Sequence, residues 1–292
     1  MANTQDIRRR IKSIRNTSQI TKALQMVAAS KMRKAQNMAL AGRPYSSLMN
    51  RVLVSLQQRT DSKLHPLLQV REVKKELVVV ISTDKGLAGP LNTNLFREVT
   101  KFEDSKTNYV SSGAKARQFI VRTGRELAAD FPLKDAPAFT DTKEISKFCV
   151  EKFLSHEVDK VSVLYTHFIN TINQKPVVQT LLPISRFDLP RASVAGTSAE
   201  GSDDPMIGYL FEPTPESVLD IMLPYYLHYQ VYQMVLDARA SEHSSRMVAM
   251  KNATDNAKQF IKDLTLEYNK MRQASITTEL LEISTAQMAV GG

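Results

Sequence analysis

Met247-VAMKNATDNAKQFIKDLTLEYNK-Met271 is the stretch that decides the architecture. Met247, Met250, Thr254, Ala257, Ile261, Leu264, Tyr268 and Met271 recur in strict 3-4 alternation, and Ser275 and Thr278 extend the series. That period places these side chains on one seam of a helix and gives a left-handed supercoil once the seam is covered. Neither Gly nor Pro occurs between Pro224 and Gln287. A single helix on the order of 100 Å long is expected, with Pro224 tolerated in its first turn.

Beyond Met271 the pattern changes. The seam becomes Ser275, Thr278 and Glu282, while Ile276, Leu280, Leu281 and Ile283 fall elsewhere around the helix. No single dry face remains, as in an end that touches surroundings on several sides. Arg272, Gln273 and Thr277 sit there. Isolated polar residues are ordinarily solvated, but the loss of the dry seam at this point favours contact with a partner.

A helix with one apolar stripe must bury it, and the N-terminal stretch supplies a match. Asn3 or Thr4 can cap a helix there, with Asp6 near the positive end of its dipole. Ile7, Ile11 and Ile14 start a stripe that runs through Thr21, Leu24, Ala28, Met32, Ala35 and Ala39. Gly42 and Pro44 interrupt it, and Leu48, Val52 and Leu56 resume it. The two helices flank a compact segment, so a folded-back, antiparallel coiled coil is the economical topology. Its Ala, Thr and Ser positions let the backbones approach closely.

The middle reads as α/β, with a Rossmann-like domain expected. Glu76-LVVVIS and Val161-SVLYTHFIN are short apolar runs of the kind buried on both faces of a parallel sheet. Pro176-VVQTLLPI and Met206-IGYLFEP are two further strands. Helices are expected near Asn94–Phe102, Ala114–Phe119 and Lys143–Leu154, and Arg186–Pro205 reads as a loop. The organisation is then 1–60 (coiled-coil helix), 61–212 (α/β domain) and 213–292 (coiled-coil helix pairing with 1–60).

Charge is unevenly spread over the 292 residues. The net value is +9, yet Ile7 to Thr60 holds twelve Lys or Arg and no acid, whereas Glu216 to Val290 has nine acids against seven bases. A basic rod implies an acidic or polyanionic neighbour. Its first forty residues lack aromatics and one seam stays apolar, which favours a polar protein sleeve. A nucleic-acid-binding scaffold is the alternative. No run approaches the ~18 apolar residues of a membrane-spanning helix.

Catalysis finds little foothold. Cys149 is the single cysteine, so no intramolecular disulfide framework or multi-Cys metal site is possible, and a compartment that is reducing, or indifferent to redox, is implied. His65, His156, His167, His228 and His243 lack metal-ligand spacing. Thr83-DKGLAGPLN follows a strand, but it lacks the lysine and hydroxyl of a P-loop, and Pro90 removes a backbone donor. A tight turn or contact loop is the plainer reading. No cofactor, metal or small-molecule substrate is expected.

Three blocks carry a resemblance: Ser13-IRNTSQITKALQMVAASKMRKAQ, Ser82-TDKGLAGPLNTNLF, and Ala240-SEHSSRMVAMKNATDN continuing to Leu264-TLEYNKMRQASITTELLEI. In these the chain closely resembles the gamma subunit of bacterial-type F-type ATP synthases. The resemblance implies a non-catalytic central rotor stalk, coupling proton flow through the membrane c-ring to ATP synthesis in the alpha/beta ring. The implied partners are alpha and beta in a 3:3:1 core, epsilon and the c-ring, with no nucleic acid. Arg272, Gln273 and Thr277 match the family residues that bond an acidic catch loop on beta. Leu24 stands where the family often has Met, and Ala88 where it often has Cys. The chloroplast regulatory insert with its Cys pair is missing. The implied location is peripheral, on the cytoplasmic side of a bacterial inner membrane.

Overall fold

A computed structural model describes residues 4–59, 65–184 and 211–290. The chain packs as two units, Met1–Val27 with Met247–Gly292 and Ala28–Arg246. The division therefore falls inside both long helices, whereas the sequence boundaries at 60/61 and 212/213 follow changes of element.

In the larger unit a five-stranded sheet is built from β1 (Glu76–Ile81), β2 (Thr107–Ser112), β3 (Leu127–Asp130), β4 (Lys160–Phe168) and β5 (Gln174–Leu182). The order is β3-β2-β1-β4-β5, parallel except for β5. This 3-2-1-4 arrangement is the doubly wound, Rossmann-like one. The pleat of β1 separates two cores. Leu77, Val79 and Ile81 join one with Ile145, Cys149 and Phe153 of α5 (Phe139–Leu154) and Leu53 and Leu56 of α2 (Arg43–Arg59). Val78 and Val80 join the other with Leu95 and Val99 of α3 (Leu91–Val99) and Ala116 and Ile120 of α4 (Ala114–Arg122).

The sequence reading missed β2 and β3. Thr107-NYVSS is mostly polar and Leu127-AAD is four residues long with two alanines, so no long apolar run marks either. The expected strand at Met206 and the loop at Arg186 lie outside the described residues, apart from 211–213.

α1 (Thr4–Ala41) ends at Gly42, as its breakers suggest. The glycine is required by close approach. The Tyr229 hydroxyl donates to the Gly42 carbonyl at 2.7 Å, and a Cβ at Gly42 would collide with that hydroxyl. α6 spans Pro215–Val290, 76 residues. Pro224 is thus not in the first turn but inside the helix. The start lies earlier because Thr214 caps it, accepting from Ser217 N at 3.3 Å, and Pro215 takes the first position. The neighbouring Leu223, Tyr226 and Leu227 are fully buried in the core, which offsets the backbone bond that Pro224 cannot make.

The smaller unit is an antiparallel pair made by the start of α1 and the end of α6. Ile7 is buried and Ile11 and Ile14 half-buried. Facing them, Met250, Thr254 and Ala257 are buried, and Met247, Ile261, Leu264, Tyr268 and Met271 half-buried. Thr21 Oγ1 and Thr254 Oγ1 share a hydrogen bond at 2.7 Å. Counting equal steps outward from that bond sets Ile7 against Tyr268. Leu24 is corrected: it is 36% exposed, and half-buried Gln25 holds the seam instead. From Thr21 the alternation steps four to Gln25, so Leu24 is one position off the stripe. Ala28 and Met32 are buried, but within the sheet unit.

Candidate partner-contact site

The end of α6 is exposed on all sides. Every described side chain from Arg272 to Met288 is solvent-facing. Leu280, Leu281 and Ile283 are each 61% exposed and Met288 77%. Isolated exposed apolar residues are unremarkable, but a run of them along one helix marks a contact surface. Arg272 makes no ion pair with any described residue, and the Thr277 hydroxyl donates to the Gln273 carbonyl at 2.9 Å. In this conformation Thr277 offers a partner only lone pairs. The structure brings Arg272, Gln273 and Thr277 within two turns of one exposed helix.

The sheet unit carries a second polar constellation, which sequence reasoning did not assemble. In doubly wound folds the ligand crevice opens where strand order reverses, here past the ends of β1 and β4. That crevice is filled by α6. From the β4 side, Asp237 accepts from Phe168 N at 3.0 Å and bonds His167, and the Ser241 hydroxyl donates to the Thr166 carbonyl at 2.9 Å. From the β1 side, Arg239 donates to Asp84 at 3.2 Å, Ser245 to the Ala88 carbonyl at 2.7 Å, and Arg246 to the Lys85 carbonyl at 3.4 Å.

The loop after β1 is consumed in holding this joint. Ser82 and Asp84 accept from the first backbone N–H groups of α4, Ala116 N at 2.8 Å and Ala114 N at 3.0 Å. Those α4 donors are thereby satisfied within the chain. Thr83-DKGLAGPLN is thus a contact loop between strand, α4 and α6. The signal was present in Ala240-SEHSSR, where small and charged residues follow the mostly apolar stretch 223–236.

Asp135, Glu242 and His243 approach one another as metal ligands can, within 4.8 Å. Cations already hold the carboxylates. Lys31 pairs with Asp135, while Glu242 accepts from Arg239 at 2.8 Å on one oxygen and Arg246 at 2.7 Å on the other. Burial pushes the His243 imidazole down. The cluster is an ion-pair network. Of the other histidines, His65 caps a short turn through Leu67 N, and His228 bonds Ser146 inside the core. Burial pushes the Cys149 thiol up to about 12, so it is a packing residue.

A Rossmann-like sheet whose crevice is filled by its own helix, joined in sequence to an antiparallel helix pair with an exposed tip, defines a scaffolding or coupling subunit. The comparisons make the class particular. The family profile described as ATP synthase matches residues 3–290. The ATP synthase gamma chain of Methylacidiphilum infernorum is 51% identical over the whole of both chains. That of Opitutus terrae is also 51% identical over 99% of each. A chain from the central stalk and c-ring of the Tetrahymena thermophila mitochondrial ATP synthase has a TM-score of 0.60 at 25% identity, covering 80% of this chain and 99% of that one. One from the Euglena gracilis enzyme in rotational state 3 reaches 0.67 at 20% identity, covering 98% and 94%, a likeness of fold. The chain belongs to the ATP synthase gamma-chain family.

Proposed function

We infer that this chain is the central-stalk subunit of an F-type ATP synthase, a non-catalytic rotor that carries rotation between a membrane c-ring and a catalytic alpha/beta ring. The observation that carries this reading is the long helix pair with a polar and apolar tip exposed on every side, in a chain with full-length gamma-chain relatives. As a member of that family it is part of a membrane-bound complex. Among the described residues no helix is long and apolar enough to cross a membrane, so attachment would run through partners: the c-ring and epsilon at one end, alpha and beta in a 3:3:1 core at the other. The finer placement is peripheral, on the cytoplasmic face of a bacterial inner membrane.

Arg272, Gln273 and Thr277 are assigned to a catch formed with an acidic loop of beta. An arginine fork on a carboxylate is directional and strong enough to hold a dwell position, yet it can break and reform. Thr277 must turn its hydroxyl away from the Gln273 carbonyl to donate to that loop. The test is Arg272→Ala combined with Gln273→Ala. Both side chains are exposed, so the fold should stand, while ATP synthesis coupled to proton flow falls by about tenfold, as for loss of charged hydrogen bonds. Unaltered coupled synthesis would remove the catch assignment. Failure of the wild-type chain to co-purify with alpha and beta would remove the stalk assignment itself.

A further inference from the structure

A cavity of about 690 Å³ lies over α3 and α4, on the face of the sheet opposite α5. Its floor is the Phe96–Phe119 pair, stacked with ring centres 4.4 Å apart and planes 6° from parallel. Val121 beside them is 62% exposed. The rim is cationic: Lys115, Arg117 and Arg122. Arg117 is neutralised by Asp130 at 3.2 Å. Lys115 reaches only the Gln118 amide, at 3.4 Å, and Arg122 has no carboxylate partner among the described residues. α4 contains no acid, so nothing on its own helix balances these two charges.

A half-buried aromatic floor beside exposed Val121, with two uncompensated cations at its edge, calls for a ligand with both an apolar side chain and carboxylates. A small inorganic anion would answer the charges and leave Val121 and the open ring edges uncovered. A flat lipid surface would not enter a concavity. We propose that the α3–α4 groove docks an acidic amphipathic segment of a partner polypeptide, its apolar side chain on Phe96 and Phe119 and its carboxylates on Lys115 and Arg122. This contact belongs to the sheet unit and is separate from the catch on α6.

The test replaces Val121 by p-benzoylphenylalanine, irradiates intact cells, and recovers the chain with its adducts. Co-purification of alpha and beta is scored on the same sample, so failure of the stalk reading is seen separately. The expected adduct is one polypeptide segment with at least two Asp or Glu beside an apolar residue. Lys115→Glu with Arg122→Glu should lower its yield at least about fivefold, through like-charge repulsion, and Lys115→Gln with Arg122→Gln should lower it less. Circular dichroism should show both variants folded. The proposal is overturned by no adduct, by adducts to lipid or to a segment without acids, or by a yield indifferent to charge reversal.

Discussion

Gly42 shows how one atom sets a boundary. Its carbonyl accepts from both Tyr229 and Ser46, at 2.7 and 2.9 Å, and its missing side chain leaves the space that Tyr229 and Gln233 occupy. Gly42→Ala should lower stability by about 1–3 kcal/mol, the usual cost of overpacking. Adding Tyr229→Phe should recover part of it, because the clashing atom is the hydroxyl; urea unfolding of the two variants checks both. His167 gives a pH dependence. Its hydrogen bond to Asp237 raises its folded pKa despite burial. The resulting stability is fully present below the unfolded value of about 6.5 and is lost as pH rises through the raised one. His228 and His243, pushed down by burial, act in the opposite sense, so the difference between wild type and His167→Gln is the measurement. The cost of that substitution should be larger near pH 6 than near pH 9, and an equal cost would show that the imidazole acts only by packing.

At the scale of elements, the helix pair is held by small residues. Ala257 is 7% exposed and Thr254 3% on a seam where threonines bond across at 2.7 Å. Ala257→Leu has no room to enter that seam and should cost about 1–3 kcal/mol, read as an earlier loss of helicity on heating. Leu24 was chosen for its apolarity and against the alternation, because an apolar residue beside a seam looks like a seam residue until the period is counted through Gln25. Strand legibility followed apolarity. β1 and β4 are continuous hydrophobic runs and were plain, whereas β2 and β3 are strands through their pairing to neighbours, not through composition. The start of α6 was written in Thr214-Pro215, a cap and first-turn pair that the more conspicuous Pro224 obscured. The tip residues were visible as a break in pattern. The filled crevice was not, since Asp84 and Arg239 are far apart in sequence and meet only when the sheet forms.

For the molecule as a whole, the two units answer to different physics. The sheet unit is a close-packed domain with two cores. The helix pair has a narrow seam and then, past Met271, only hydrogen bonds within its own helix among the described residues. Removing residues 272–292 should therefore leave the unfolding midpoint of the remaining chain unchanged, because little backbone or apolar area is uncovered. The catch proposed for Arg272, Gln273 and Thr277 would be lost with them. A fall in the midpoint would mean that the tip stabilises the fold as well as meeting a partner.

The crevice past β1 and β4 has a further consequence. Where a doubly wound sheet receives a ligand from solution, occupancy rises and falls with the ligand's concentration. Here the occupant is residues 237–246 of the same chain, whose effective concentration at the site is fixed by covalent tethering. No dilution or metabolite level can empty it while the sheet stands. The grip of the domain on α6 is thus a permanent setting rather than a binding equilibrium, as a fastening under repeated load requires.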